Sequence, residues 1–221
     1  MKITSIIFDL DDVIVNSSPL HFEAYERALA DFGLPVVEIP AELCRSIYGM
    51  RIKEIMHVLV NHFKMDVDVE ALTRHRNDYF LKLVKKGVKP MPGLAAFIKN
   101  VEKWKMKRAV ASSGVTEYVH EVLKQLKINK FFDVVVTGDN VHNPKPAPDC
   151  FLLAAKKIDA LPSECAVIED ATKGIEAAKA AGMLAIGVKN SVVDSGQDMS
   201  RADIVVHRLD EITLEMLEDK R

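Results

Sequence analysis

Six short apolar stretches, with segments of a different periodicity between them, limit what this chain can fold into more than any other feature. Ile3 to Leu10 is β-branched and apolar and reads as a buried strand. Arg108 to Ser112, Asp133 to Thr137, Cys165 to Glu169, Leu184 to Val188 and Ile204 to Val206 repeat the pattern. The segments between them carry helix signals. Thr172 to Ala181 is rich in Ala, Lys and Glu, and Gly182 supplies a C-terminal cap. Short apolar strands alternating with helices imply a parallel sheet covered on both faces. The expected class is α/β, a Rossmann-like parallel sheet core.

The rhythm breaks once. From Leu10 the chain reaches no further strand until Arg108, far beyond an ordinary crossover. The stretch between reads as helical. Leu20, Ala24, Tyr25, Ala28, Leu29 and Phe32 share one helical face, and Gly33 with Pro35 ends that helix. Glu42 to Phe63 and Glu70 to Val84 read as two more helices. Breakers at Asn16-Ser17-Ser18-Pro19 and from Gly87 to Gly93 bracket the region. The expected organisation is a catalytic core of residues 1–15 and 89–221 with a helical cap, 16–88, inserted after the first strand.

Composition removes several alternatives. The chain has 221 residues with 30 basic and 32 acidic side chains, a balance without the basic bias of a nucleic-acid binder. No unbroken apolar run approaches a membrane span, and Met1-Lys2-Ile3-Thr4 lacks the apolar stretch of a secretory signal. Cys44, Cys150 and Cys165 are too scattered for a disulfide framework or a zinc site. The expectation is a reduced, cytoplasmic, monomeric protein with no nucleic-acid or membrane partner.

The strand ends carry the chemistry. Asp9 and Asp11 close the first strand, and residues two apart in an extended chain point to the same side. Ligands of open parallel sheets bind at the carboxyl ends of the strands. The other ends supply Ser112-Ser113-Gly114, Lys145 among three prolines in Asn143-Pro144-Lys145-Pro146-Ala147-Pro148-Asp149, and Glu169-Asp170. Gathered together, so many carboxylates would repel one another. A hard divalent cation removes the conflict, and Mg²⁺ prefers oxygen ligands. Hydroxyls and an ammonium beside the metal suit a phosphoryl group. The residues alone point to Mg²⁺-dependent phosphoryl transfer.

These residues resemble the haloacid dehalogenase-like superfamily, in its subfamily with a helical cap. Phe8-Asp9-Leu10-Asp11 is similar to its DxD motif, Ser112 to the second-motif serine, Lys145 to the third-motif lysine, and Glu169-Asp170 with Gly174-Ile175 to the acidic fourth motif. The resemblance implies that Asp9 attacks phosphorus. It implies that Asp11 protonates the leaving oxygen and then helps a water attack the phosphoenzyme. It further implies that Asp9, Asp170, Glu169 and the Asp11 backbone carbonyl hold Mg²⁺. Ser112, the Ser113 backbone N–H and Lys145 would stabilise the transferring group. An acid that must be protonated for one step predicts a raised pKa for Asp11. The chain departs from the family pattern at Asp12 (usually Gly), Asn16 (often Asp) and Ala171 (often Ser).

Cap residues are expected to contact the part of the substrate that does not react. Candidates are His21, Gly49, Arg51, Lys53 and Arg76. Among relatives the pattern is similar to β-phosphoglucomutases, through His21 and Arg76-Asn77, but Ile52 stands where a mutase cap loop would place Arg. The preferred reading is a phosphatase of small phosphorylated metabolites, with a β-phosphoglucomutase interconverting glucose 1- and 6-phosphates as the alternative. A non-catalytic sugar-phosphate sensor would need a broken acidic set.

Overall fold

The computed structural model describes residues 2–34, 38–189 and 196–218. Six strands form one sheet: β1 (Ser5–Phe8), β2 (Lys107–Ala111), β3 (Val134–Val136), β4 (Cys165–Glu169), β5 (Leu184–Val188) and β6 (Ile204–Val206). Their order is β3-β2-β1-β4-β5-β6, and every pair is parallel. This is the expected Rossmann-like α/β fold. β1 lies between β2 and β4, which is why its four residues are all buried. Ile6 and Phe8 enter one face of the core and Ile7 the other, the period of two that a doubly covered strand requires.

Between β1 and β2 stand α1 (Ser18–Asp31), α2 (Ala41–Ile47), α3 (Ile52–His62), α4 (Val69–Lys86) and α5 (Leu94–Trp104). α1 to α4 enclose their own apolar cluster, with Tyr25, Ala28, Leu29, Ile47, Met56, Leu59 and Leu72 buried in it. The C-terminal half of α4 turns toward the sheet instead. Its Phe80, Leu83 and Val84 join the core that holds Phe8 and Val110. The remaining helices follow their strands: α6 (Thr116–Gln125), α7 (Asp149–Lys157), α8 (Thr172–Ala180) and α9 (Leu214–Glu218).

The helix expected over Glu42 to Phe63 is two helices. Tyr48 leaves α2 with an extended ψ of 136°, Gly49 takes a left-handed φ of 69°, and Arg51 is extended again before α3. Glycine has no Cβ to oppose that φ, so the chain turns there at little cost. The apolar periodicity continues through the break because both helices face the same cluster. Where the chain passes between sheet and helices, two segments run side by side. Asn16 N donates to Lys89 O at 2.9 Å, and Met91 N to Ile14 O at 2.9 Å. No described helix is long and apolar enough to cross a membrane.

Candidate active site

β1 delivers Asp9 directly. Asp9 N still donates to Ile168 O at 2.9 Å, so the ladder holds its backbone, and the residue is 6% exposed. Beyond it the chain coils back, with Ile14 N bonded to Leu10 O at 2.9 Å, and leaves Asp11 at the mouth. Lys145, from the loop before α7, reaches under this end. Its Nζ lies 2.5 Å from Asp9 Oδ1 and 2.6 Å from Glu169 Oε1, with the Phe151 ring 4.6 Å below. Burial alone would discharge the ammonium, but Asp9 and Glu169 outweigh it and hold Lys145 firmly protonated.

Glu169 closes β4, and its position depends on the missing side chain of Gly174. A Cβ on that residue would lie 1.8 Å from Glu169 Oε1. In the space left, Oε2 accepts the N–H groups of Asp170 and Ala171, both at 2.9 Å, at the start of α8. Both oxygens of Glu169 are therefore engaged, one by Lys145 and one by backbone. Glu169 braces Lys145, and the lone pairs left on its two oxygens keep it among the candidate metal ligands.

Asp11 departs from expectation. Burial pushes its carboxyl up, but hydrogen bonds from His21, Ser17 and Tyr118 outweigh that and hold it below the usual value. Tyr118 donates to Asp11 Oδ1 at 2.5 Å, and His21 Nε2 lies 3.5 Å from the same oxygen. Arg76 contacts His21 Nδ1. A guanidinium can only donate, so Nδ1 accepts and the ring proton sits on Nε2, facing Asp11. Arg76 itself is 1% exposed and lies between Tyr25 and Phe80, 4.4 and 4.5 Å from their ring centroids. Burial and the charge of Arg76 hold His21 below the ordinary imidazole value, against the pull of Asp11.

The acidic set is strained by its own charge. Burial first, then Lys145, Glu169 and Asp11, settle Asp9 at about 8. Burial and then Glu169, Asp12, Asp9 and Asp11 hold Asp170 well above the carboxylate range. Among the described residues no three His, Cys, Asp or Glu side chains converge as a ready-made ligand cluster. Asp9, Asp170, Glu169 and the Asp11 carbonyl are the candidate oxygen donors. Oxygen donors and buried excess negative charge fit a hard cation that keeps several waters.

A cavity of about 550 Å³ opens at Asp11 and Asp12; Asp9, Lys145, Glu169 and Asp170 are not among its lining residues. Of the residues singled out from sequence, Asp11, Ser113, His21, Gly49, Arg51 and Arg76 line it. Ser112, 1% exposed, closes its turn by accepting Gly114 N at 3.0 Å. Arg51 donates to His142 O at 3.0 Å across the mouth. Lys53 does not belong to the cavity lining. It is exposed on the outer side of α3, and its Nζ lies 2.9 Å from Glu70. The sequence reading missed Tyr118 and Tyr48. Tyr118 could have been found from its place in the first turns of the helix that follows Ser112-Ser113-Gly114.

The model of the haloacid dehalogenase-like hydrolases matches residues 6–188. The chain is 31% identical over 209 residues to a phosphorylated carbohydrates phosphatase of Thermotoga maritima, covering 94% of this chain and 95% of that protein. It is 31% identical over 222 residues to the β-phosphoglucomutase of Bacillus subtilis, covering 98% and 94%. The crystal structure of β-phosphoglucomutase from Clostridium difficile superposes with a TM-score of 0.82 at 24% identity, covering 98% and 96%, which shows a shared fold. With the matched region spanning β1 to β5 and carrying all four acidic, hydroxyl and lysine strand ends, this chain belongs to the haloacid dehalogenase-like hydrolases and is an enzyme of that family.

Proposed function

We propose that the chain is a Mg²⁺-dependent phosphatase of small phosphomonoesters, sugar phosphates or similar, acting through a phosphorylated Asp9. The observation that carries this reading is the division of labour between two carboxylates of one strand end. Asp9 is paired with a buried cation, and Asp11 is served by His21 and Tyr118. Asp11, ionised in the free site, takes up a proton as the substrate binds; Asp9 then attacks phosphorus while Asp11 gives that proton to the leaving oxygen, releasing an alcohol and leaving an aspartyl phosphate. Asp11 then takes a proton from a water that attacks the same phosphorus, which frees phosphate and restores Asp9. His21, with its proton on Nε2, orients Asp11 through both steps. Lys145 balances the charge on the phosphoryl oxygens, and Ser112 with the Ser113 N–H completes their cradle. Asp9, Asp170, Glu169 and the Asp11 carbonyl would hold Mg²⁺, which when bound neutralises the carboxylates and polarises the phosphoryl group.

The cavity lining favours the phosphatase over the mutase. A mutase must hold a second phosphate while its sugar turns over. Here Phe22, Ile47, Met50, Ile52 and Ile55 are among the residues that line the cavity. Arg51 is bonded to His142, and Arg76 is sandwiched between two rings. The relative named phosphorylated carbohydrates phosphatase supports the same choice.

The test is phosphate release from a panel of phosphomonoesters, with Mg²⁺ and with chelator, alongside conversion of β-glucose 1-phosphate to glucose 6-phosphate. Metal-dependent release that disappears in Asp9→Asn is the expected result. Rapid isomerisation with little free phosphate would replace the phosphatase by the mutase. No turnover on the whole panel would overturn both.

A further inference from the structure

Asp12 is a buried carboxylate for which the reaction has no use. It is 2% exposed and has a left-handed φ of 52°, a conformation that favours glycine. Its Oδ1 accepts the backbone N–H groups of Ser17 at 3.1 Å and Ser18 at 3.2 Å. Its Oδ2 accepts the hydroxyls of Ser18 and Tyr48, which are themselves 2.5 Å apart. These partners come from different pieces of the molecule. Asp12 follows β1, Ser17 and Ser18 begin α1, and Tyr48 lies in the link between α2 and α3. The side chain of Ser17 does not cap α1, so Asp12 supplies the acceptor at that helix start from outside the helix.

A carboxylate is costly to bury unless donors surround it. All four of these donors, three from the start of α1 and one from Tyr48, are in place only while α1 and the 48–51 link sit on the strand ends. Breaking the arrangement at either place would leave the other side with a buried acceptor short of its partners. The same link touches the core twice more. A Cβ on Gly49 would lie 3.6 Å from Ala171 Cβ after β4, and Arg51 reaches His142 O after β3. Ser18 and His21 are three residues apart on α1 and so share a helical face. Whatever fixes Ser18 also fixes the height of His21 above Asp11.

We propose that Asp12 is a positioning residue that clamps α1 and the Tyr48–Arg51 link onto the strand ends, setting both His21 against Asp11 and the cavity wall against the substrate. The kinetic part of this proposal rests on the phosphatase reading; the clamp itself does not.

The test compares wild type, Tyr48→Phe, Asp12→Asn and the double variant. Amide hydrogen exchange is read by mass spectrometry without substrate, and Michaelis parameters with the best phosphomonoester of the panel. Tyr48→Phe keeps the ring and removes one hydroxyl. It is expected to speed exchange at the start of α1 and in the 48–51 link together, with the β1 and β4 amides unchanged. KM is expected to rise about tenfold, the scale of one buried hydrogen bond, with a smaller change in kcat. The double variant should be no worse than Asp12→Asn alone, because both remove the same clamp. A variant that merely destabilises the fold would lower the active fraction, and so kcat, and leave KM in place. The proposal is overturned if exchange rises in one segment only or throughout the chain, or if the two kinetic losses multiply. If Asp12→Asn does not fold, Tyr48→Phe decides the matter alone. If wild type turns over no substrate, the phosphatase reading fails, and the exchange pattern still decides the clamp.

Discussion

Replacing Gly174 by alanine tests the site where it is most tightly built. The new Cβ would fall 1.8 Å from Glu169 Oε1, 1.9 Å from its carboxyl carbon and 2.5 Å from Oε2. Real Cβ contacts stay beyond 3.0 Å, so the nearer oxygen must move by at least 1.2 Å, the difference between the two distances. A glutamate on the surface would swing away. This one is held by Lys145 at 2.6 Å and by two backbone N–H groups at 2.9 Å. Moving it strips a partner from a buried ammonium and frees two buried donors. Breaking a buried ion pair from one side costs about 3–5 kcal/mol. Against this, Gly→Ala inside a helix gains about 1 kcal/mol. The expected net loss is about 2–4 kcal/mol in a urea titration. With Lys145 displaced from Asp9, kcat should fall about a hundredfold or more, the scale seen when one charge-stabilising donor is lost. The control is Glu169→Ala, which empties the space. In that background Gly174→Ala should be neutral or stabilising. Wild-type stability and turnover in Gly174→Ala, or an equal loss in both backgrounds, would refute the steric argument.

Three further outcomes are expected. Asp9 binds a proton up to about 8 in the folded protein but only up to its usual 3.8 when unfolded. The folded state therefore holds more protons between those values, and stability of the chelated protein should fall as pH rises through that window. Thermal melts should show Mg²⁺ restoring more at the upper end than at the lower, and Asp9→Asn flattening the slope. Arg76→Met keeps the buried stem and removes the donor to His21. Turnover should drop about tenfold if the His21 proton is no longer fixed on Nε2, whereas an unchanged pH–rate profile would count against that role. Lys53→Ala should leave KM unchanged and stability within about 0.5 kcal/mol, because its pair with Glu70 is well exposed on both sides.

Most of the fold could be read from local pattern. The strands were legible because a doubly covered sheet needs uninterrupted apolar residues, and Ile6-Ile7-Phe8 or Ala166-Val167-Ile168 leaves little choice. At Tyr48-Gly49 the glycine marked a pliable point, but the apolar rhythm on either side serves one cluster and does not record the change of direction. Asp9, Lys145 and Glu169 were found by their types at strand ends. That Glu169 braces Lys145 depends on an empty Cβ position at Gly174, visible only in three dimensions. The pKa of Asp11 was misjudged for a similar reason. Its partners His21 and Tyr118 stand ten and 107 residues away in sequence, on two different helices. Lys53 looked like nearby Arg51, but two residues further on it is turned outward to Glu70.

The adjacent passages at Ile14–Asn16 and Lys89–Met91 bear on how such a chain can be rebuilt. Because entry and exit are joined by backbone bonds, the helices between them hang from the sheet like a hairpin of very long loop. Loop-closure entropy grows only with the logarithm of loop length, so the sheet is nearly indifferent to how many residues the loop contains. Insertions, deletions or grafted helices there leave strand order and register untouched, provided two conditions are met. Phe80, Leu83 and Val84 of α4 cover Tyr118, Val119 and Val122 of α6. Any replacement has to bring its own apolar patch to that spot, and the donors that the buried Asp12 carboxylate takes from Ser17, Ser18 and Tyr48 are a second demand on it.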